Sequence, residues 1–310
     1  MSAILNRWIN TNLRISLLLL GLLMPMGQAQ ATTTTANLYS DVEKSVYQVR
    51  VINKQTGKKV TIGSGFIVGQ SNILATNYHV VSSYVNDSAN YQLDYLSTQG
   101  DVGALTLLDV DVVHDLAVLK ADHPLGVPLP LGGVLPKGAP LYSLGNPMDL
   151  GFSIIPGTNN GVLEYSSDHN ILFSGSLNAG MSGGPTLDDQ GQVVGVNVAT
   201  SGNQISFLVA AEHLGVMLDR LKLRSFMPVE DLRSHVSHQL VDSMRSYMLE
   251  LVSNKKAKSW GSSRIGHMNV PTEISPSLRC WDASESDDQG SFMTNYFTEC
   301  SNERSIYLSD

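Results

Sequence analysis

The chain has 310 residues, 15% charged and 42% hydrophobic, with Lys+Arg 20 against Asp+Glu 28 and a formal net charge of −8. Charge this sparse excludes an intrinsically disordered chain, the 27 glycines follow no collagen period, and there is no heptad array or internal repeat. The acidic balance gives no electrostatic reason to bind nucleic acid or an anionic membrane surface.

In chain order, the first feature is an export signal. Arg7 and Arg14 precede an apolar run of nine residues, Ile15 to Leu23, and Pro25 and the small-residue site Ala29-Gln30-Ala31 follow it. A spanning helix needs about 20 apolar residues, so residues 1–31 read as a cleaved signal peptide and not as an anchor. No cysteine sits at the cleavage point to take a lipid. The expected address is a bacterial periplasm or the medium, without stable membrane insertion.

From Ala36 to about Val209 the pattern is one of short strands between turn residues. Ser45 to Val51 alternates with period two, Gln55-Thr56-Gly57-Lys58 supplies a turn, and Val60 to Val68 returns. Ile73–Thr76, Leu105–Val113, Leu116–Lys120, Leu141–Leu144 and Gln192–Val198 continue the series. Strands spaced in this way predict a mainly β fold, a sandwich or a pair of barrels. Periodicity alone does not choose between them.

Helical spacing takes over at Ala211–Lys222, where Leu214, Met217, Leu218 and Leu221 share a stripe. A second helix is expected over 228–252, with Pro228 in its first turn and Leu232, Val236, Leu240, Met244, Tyr247, Met248 and Leu251 on one face. His235 and His238 on that helix have no third ligand to make a metal site and read as a solvated face. Residues 253–278 are polar, with Pro271 and Pro276, and read as a linker. Cys280 and Cys300 lie equidistant from Gly290 in an acidic tail, which suggests a hairpin over 278–310 closed by one disulfide. Two separate buried thiols are the alternative.

The chemistry concentrates in three places. Gly180-Met181-Ser182-Gly183-Gly184-Pro185 offers a serine in a glycine-rich turn, where backbone N–H groups can face a developing oxyanion. By itself such a turn serves structure as readily as catalysis. A hydroxyl is a poor nucleophile near neutral pH and needs a histidine base held by an acid. Thr76-Asn77-Tyr78-His79-Val80-Val81 supplies the histidine after a buried strand, and His114-Asp115-Leu116 an acid at the mouth of another. Asp109, Asp111 and Asp122 are expected to be solvated, and His114 and His123 to be surface or satisfied core residues.

The order His79, Asp115, Ser182, with GSGFIV, ATNYHVV, HDLAVLK, LGNP and LNAGMSGGP around it, resembles the chymotrypsin-like serine proteases. Within them it is most similar to the HtrA/Deg branch, over about residues 37–223. The resemblance implies a double β-barrel in a protease domain at 32–225, followed by a C-terminal region at 226–310. It further implies Ser182 as nucleophile, His79 as general base and then acid, Asp115 as the residue orienting the imidazole, and the N–H groups of Gly180 and Ser182 as the oxyanion hole.

Ser176, Leu177, Thr200 and Ser206 align with the walls of the substrate pocket. Ser176 stands where trypsin-like enzymes carry an acid and Thr200 shortens the pocket, so the implied P1 residue is small or medium and apolar. Met181 replaces the aspartate that receives a new N-terminus in digestive zymogens, and 226–310 shows no recognisable PDZ domain. Neither zymogen-type activation nor PDZ gating is therefore expected. The partners implied are protein or peptide substrates, with no metal or organic cofactor and with the oligomeric state left open. A catalytically silent, protease-like binding protein of the cell envelope is the alternative reading.

Overall fold

The computed structural model describes residues 35–163, 170–200, 204–257, 261–265, 267–272, 279–282, 297–301 and 306–308. The signal segment and the turn expected near Gly290 lie outside the described residues. A short helix, α1 (Thr35–Val42), leads into six strands: β1 (Val46–Asn53), β2 (Lys59–Ile67), β3 (Ile73–Thr76), β4 (Tyr91–Leu96), β5 (Val102–Asp111) and β6 (Leu116–Ala121). They close into a barrel in the order β1-β2-β3-β6-β5-β4. Helix α2 (Tyr78–Asn86) is inserted between β3 and β4. A second closed barrel, ordered β10-β11-β12-β9-β8-β7, is built from β7 (Pro140–Gly145), β8 (Ser153–Val162), β9 (Ile171–Phe173), β10 (Pro185–Leu187), β11 (Val193–Thr200) and β12 (Ser206–Ala210). The fold is thus mainly β, a chymotrypsin-like pair of barrels with a C-terminal helix.

Period two explains the first strand. Tyr47, Val49 and Val51 point into the first barrel's core with Leu74, Leu93 and Leu119, while Val46 on the opposite face joins the core between the barrels. Both faces are buried, so the strand does not show the simple inside–outside alternation expected of it. The Gln55–Lys58 turn forms as read: Gly57 adopts φ +65°, and the Asn53 carboxamide oxygen accepts the N–H groups of Gln55 and Thr56.

Helix α3 (Ala211–Leu223) buries Leu214, Met217, Leu218 and Leu221, the predicted stripe. Helix α4 runs from Leu232 to Ala257, later at both ends than the sequence suggested. Pro228 is not in its first turn. Asp231 caps it instead, its carboxylate accepting the Ser234 N–H at 2.9 Å. Leu232, Val236 and Leu240 pack on the first barrel, but Met244 and Met248, expected on the same buried face, are 61% and 53% exposed because the helix runs on past the barrel. Part of the expected linker pairs as a hairpin, β13 (Gly261–Ile265) with β14 (Met268–Thr272). In the tail, β15 (Arg279–Asp282) pairs with β16 (Thr298–Ser301), placing Cys280 opposite Cys300 in a disulfide. Among the described residues no helix is long and apolar enough to cross a membrane.

Asp109 departs from its sequence reading. It is fully buried, not solvated, and its carboxylate accepts hydrogen bonds from Arg220 Nε at 2.9 Å, Arg224 Nη2 at 2.7 Å and His235 Nε2 at 2.8 Å. His235 is therefore a docking residue of α4, not part of a solvated face. Burial pushes the Asp109 carboxyl up, but the hydrogen bonds of His235 and Arg220 and the charges of both arginines outweigh it and hold it below the usual carboxylate value. A group depressed in the folded state stabilises above its unfolded value, about 3.9, and that contribution is lost as pH falls through the folded value. Asp109→Ala should cost about 2–3 kcal/mol at neutral pH, less than for a fully enclosed pair, because Arg220 and Arg224 keep side-chain exposures of 39% and 33%. Urea unfolding of both proteins checks this, and the gap between them should narrow below about pH 4.

Candidate active site

The glycines around Ser182 are fixed by close backbone contact, Gly183 with the first barrel and Gly184 and Gly180 with the second barrel and the loop after β7. A Cβ on Gly183, whose φ is +84°, would lie 2.2 Å from Ser64 O and 2.2 Å from Thr76 Oγ1. One on Gly184 would lie 2.1 Å from Leu144 O, and one on Gly180 (φ +91°) 2.4 Å from Asn146 O. No side chain fits at any of the three positions, so the backbone of the serine turn presses directly on β2, β3 and β7.

Two buried polar residues hold the turn in register. Ser64 donates its N–H to Ser182 O at 2.7 Å and its hydroxyl to Gly180 O at 2.7 Å, and its Oγ accepts the Asn146 N–H at 2.9 Å. Asn197 lies in the middle of β11 and is fully buried. Its amide donates to Leu144 O and Met181 O, its Oδ1 accepts the Ser143 and Thr186 hydroxyls, and its backbone exchanges bonds with Gly183 and Gly184. Every polar atom of that side chain is used, as a buried amide requires. Neither residue was assigned a role from sequence, although a polar residue inside the apolar run Val193–Val198 was a signal.

His79 stands in the first turn of α2, and Asp115 joins β5 to β6. The carboxylate grips the histidine twice: Oδ2 accepts Nδ1–H at 2.6 Å and Oδ1 accepts the His79 N–H at 2.8 Å. The Asp115 backbone oxygen accepts the Tyr78 N–H at 3.2 Å and the Asn77 amide at 2.8 Å. These four bonds hold Asp115 at φ +53°, a left-handed conformation that a non-glycine residue adopts only under such constraint. The side chains of His79 and Asp115 are 27% and 18% exposed.

Ser182 is brought to the same place, since the Cβ built on Gly183 would also lie 2.9 Å from Asn77 N, two residues before His79. The Ser182 hydroxyl donates to Val198 O at 2.9 Å. Among the described residues the N–H groups of Gly180 and Ser182 meet no acceptor. The Ala179 carbonyl is turned away to accept the Met148 N–H at 2.7 Å, which points the Gly180 N–H of the same planar peptide in the opposite direction. Met148 and Asp149 are themselves left-handed, at φ 52° and 60°, and Asp149 is tied to Gln48 and Lys59 of the first barrel.

Of the residues aligned with the substrate pocket, Leu177 and Ser206 are buried and Ser176 is exposed. The Ser206 hydroxyl donates to Gly175 O at 2.8 Å and accepts the Leu177 N–H at 3.2 Å, joining β12 to the loop before Ser182. Thr200 ends β11, opposite Ser206.

Residues 63–196 match the family model described as the trypsin-like peptidase domain. Among curated proteins, the chain is 26% identical over 228 residues to Serine protease HTRA3 of Mus musculus, a match covering 64% of this chain and 50% of the relative. It is 30% identical over 178 residues to the mitochondrial Serine protease HTRA2 of Drosophila persimilis, covering 53% and 40%. Among solved structures, Deg5 superposes with a TM-score of 0.51 at 24% identity, over 58% of this chain and 90% of that one. The serine endoprotease from Yersinia pestis gives 0.52 at 22% identity, over 61% and 66%. The double barrel thus carries the match to a trypsin-like peptidase domain, and the chain is similar to serine proteases of the HtrA and Deg type. The chain spans about half the length of the curated relatives it matches.

Proposed function

We propose that the protein is an exported serine endopeptidase, cleaving peptide bonds in proteins through an acyl-enzyme on Ser182. The observation that carries the reading is the double grip of Asp115 on His79, together with the N–H groups of Gly180 and Ser182, which meet no acceptor among the described residues. The Asp115 bond to Nδ1 puts the proton there and leaves Nε2 as a base. In this reading the Ser182 hydroxyl leaves Val198 O, turns to His79 Nε2, gives up its proton and attacks the peptide carbonyl carbon. The oxyanion is received by the two N–H groups, held in place at no reorganisation cost. The C–N bond then breaks as His79 returns the proton to the leaving amine. Water, deprotonated by the same imidazole, hydrolyses the ester.

Ser176 and Ser206 place no charge at the pocket positions, and Leu177 and Thr200 favour a small or medium apolar P1 side chain. The signal segment supports export to a periplasm or the medium. A second reading, a catalytically silent binding protein, draws on the Ser182–Val198 hydrogen bond, which keeps the hydroxyl away from the histidine.

The test is labelling of residues 32–310 with a fluorescent fluorophosphonate, beside Ser182→Ala and His79→Ala, followed by a peptide library. Wild-type label abolished by both substitutions, with cleavage after Ala, Val or Leu, is the expected result. A folded protein that takes no label favours the silent reading, and strong preference for Arg or Phe at P1 overturns the pocket assignment.

A further inference from the structure

The C-terminal end of the chain meets the histidine. The Tyr307 ring packs edge-on against the His79 imidazole, with centroids 5.8 Å apart and planes at 76°. Ile306 and Tyr307 pack on the first barrel's core, the cluster that contains the buried Tyr78. Two side chains of α2, the helix that bears His79, hold this segment: the Tyr78 hydroxyl and the Asn86 amide both donate to Leu308 O, at 3.2 and 3.3 Å. Burial, with Tyr307 and Asp115 beside it, pushes the Tyr78 phenol up, so it remains a donor. Residues 78 and 308 are joined by nothing local. The helix that presents the base has its own anchors for the segment that covers it.

The surroundings of Asp115 say what the cover does. Among the described residues both donors to its carboxylate come from His79 itself, with no third group bracing the pair. An aromatic ring on the imidazole restricts its rotation and excludes water, and a drier surrounding strengthens a charge-assisted hydrogen bond.

We propose that Tyr307 is a positioning residue of the active site, its ring holding the His79 imidazole in line with Asp115, so that the C-terminal segment supports catalysis instead of blocking it. This rests on the serine protease reading above. The experiment uses the full mature chain with Tyr307→Ala, Tyr307→Phe and Tyr78→Phe. It measures kcat and KM on a short peptide, and the low-field proton resonance of His79 Nδ1 with its exchange rate with water.

Tyr307→Ala should lower kcat about tenfold, part of what a well-placed general base contributes, with KM changed by less than about twofold. Its Nδ1 proton should broaden and exchange faster. Tyr307→Phe, which keeps the ring, should retain both, and Tyr78→Phe, which removes one anchor from the segment without emptying the core, should fall between them and covers the case in which Tyr307→Ala does not fold. A rise in kcat for Tyr307→Ala or Tyr78→Phe would show an inhibitory tail and overturn the proposal, as would an unchanged rate with an unchanged proton, or equal loss in the Phe and Ala variants at Tyr307. If the wild type has no activity the protease reading fails. The His79 proton still reports then whether the ring shields the pair.

Discussion

Asp115→Asn is expected to lower kcat/KM about ten-thousandfold with little change in KM or in the fold. The carboxylate accepts both the His79 N–H and Nδ1–H, at 2.8 and 2.6 Å. An amide of the same shape has one acceptor oxygen and one donor nitrogen. Oδ1 can keep the backbone bond and preserve the left-handed turn, but the nitrogen then faces Nδ1 and must donate to it. The imidazole takes the other tautomer, its proton on Nε2, and no longer accepts from Ser182. Steady-state kinetics beside far-UV circular dichroism checks the prediction. A loss of tenfold or less, with the fold intact, would mean that Asp115 does not set the tautomer.

Gly183→Ala should have the largest structural effect. Its methyl would sit 2.2 Å from a backbone oxygen and 2.2 Å from the Thr76 hydroxyl, at a φ of +84°. Overpacking costs about 1–3 kcal/mol and the left-handed conformation about 1–2 more. The backbone of β2 cannot yield cheaply, because Ser64 there is bonded to Gly180, Ser182 and Asn146 at once. The serine turn must move instead, and with it the two N–H groups. The expected result is a loss of about 3 kcal/mol in urea unfolding together with loss of fluorophosphonate labelling. A variant as stable and as reactive as the wild type would refute the packing argument.

Much of the two-barrel part was legible in the sequence. The strand Ile73–Thr76 and the stripe of Leu214, Met217, Leu218 and Leu221 stand where periodicity put them, since each records a local repeat and a buried face. Short strands such as β9 and β10, of three residues each, are too brief to carry such a repeat. The second half of α4 misled for the opposite reason: Met244 and Met248 continue a helical stripe, yet the barrel ends before they reach it.

What the sequence determined by itself was a mainly β fold, through the spacing of its strands, and the residues from which a site could be made; the double barrel came from the resemblance that a run of motifs carries. Each glycine of the serine turn was visible too, but not what it touches. The tertiary structure alone decided that Asp109 is buried among Arg220, Arg224 and His235, that Asn197 ties the serine turn to the second barrel, and that Tyr307 lies on His79. The physical reason is common to all three. A hydrophobic period reports which way a side chain points, whereas a buried carboxylate, an amide hub or a ring contact is defined by partners brought together from distant parts of the chain when the barrels close and the C-terminal region docks.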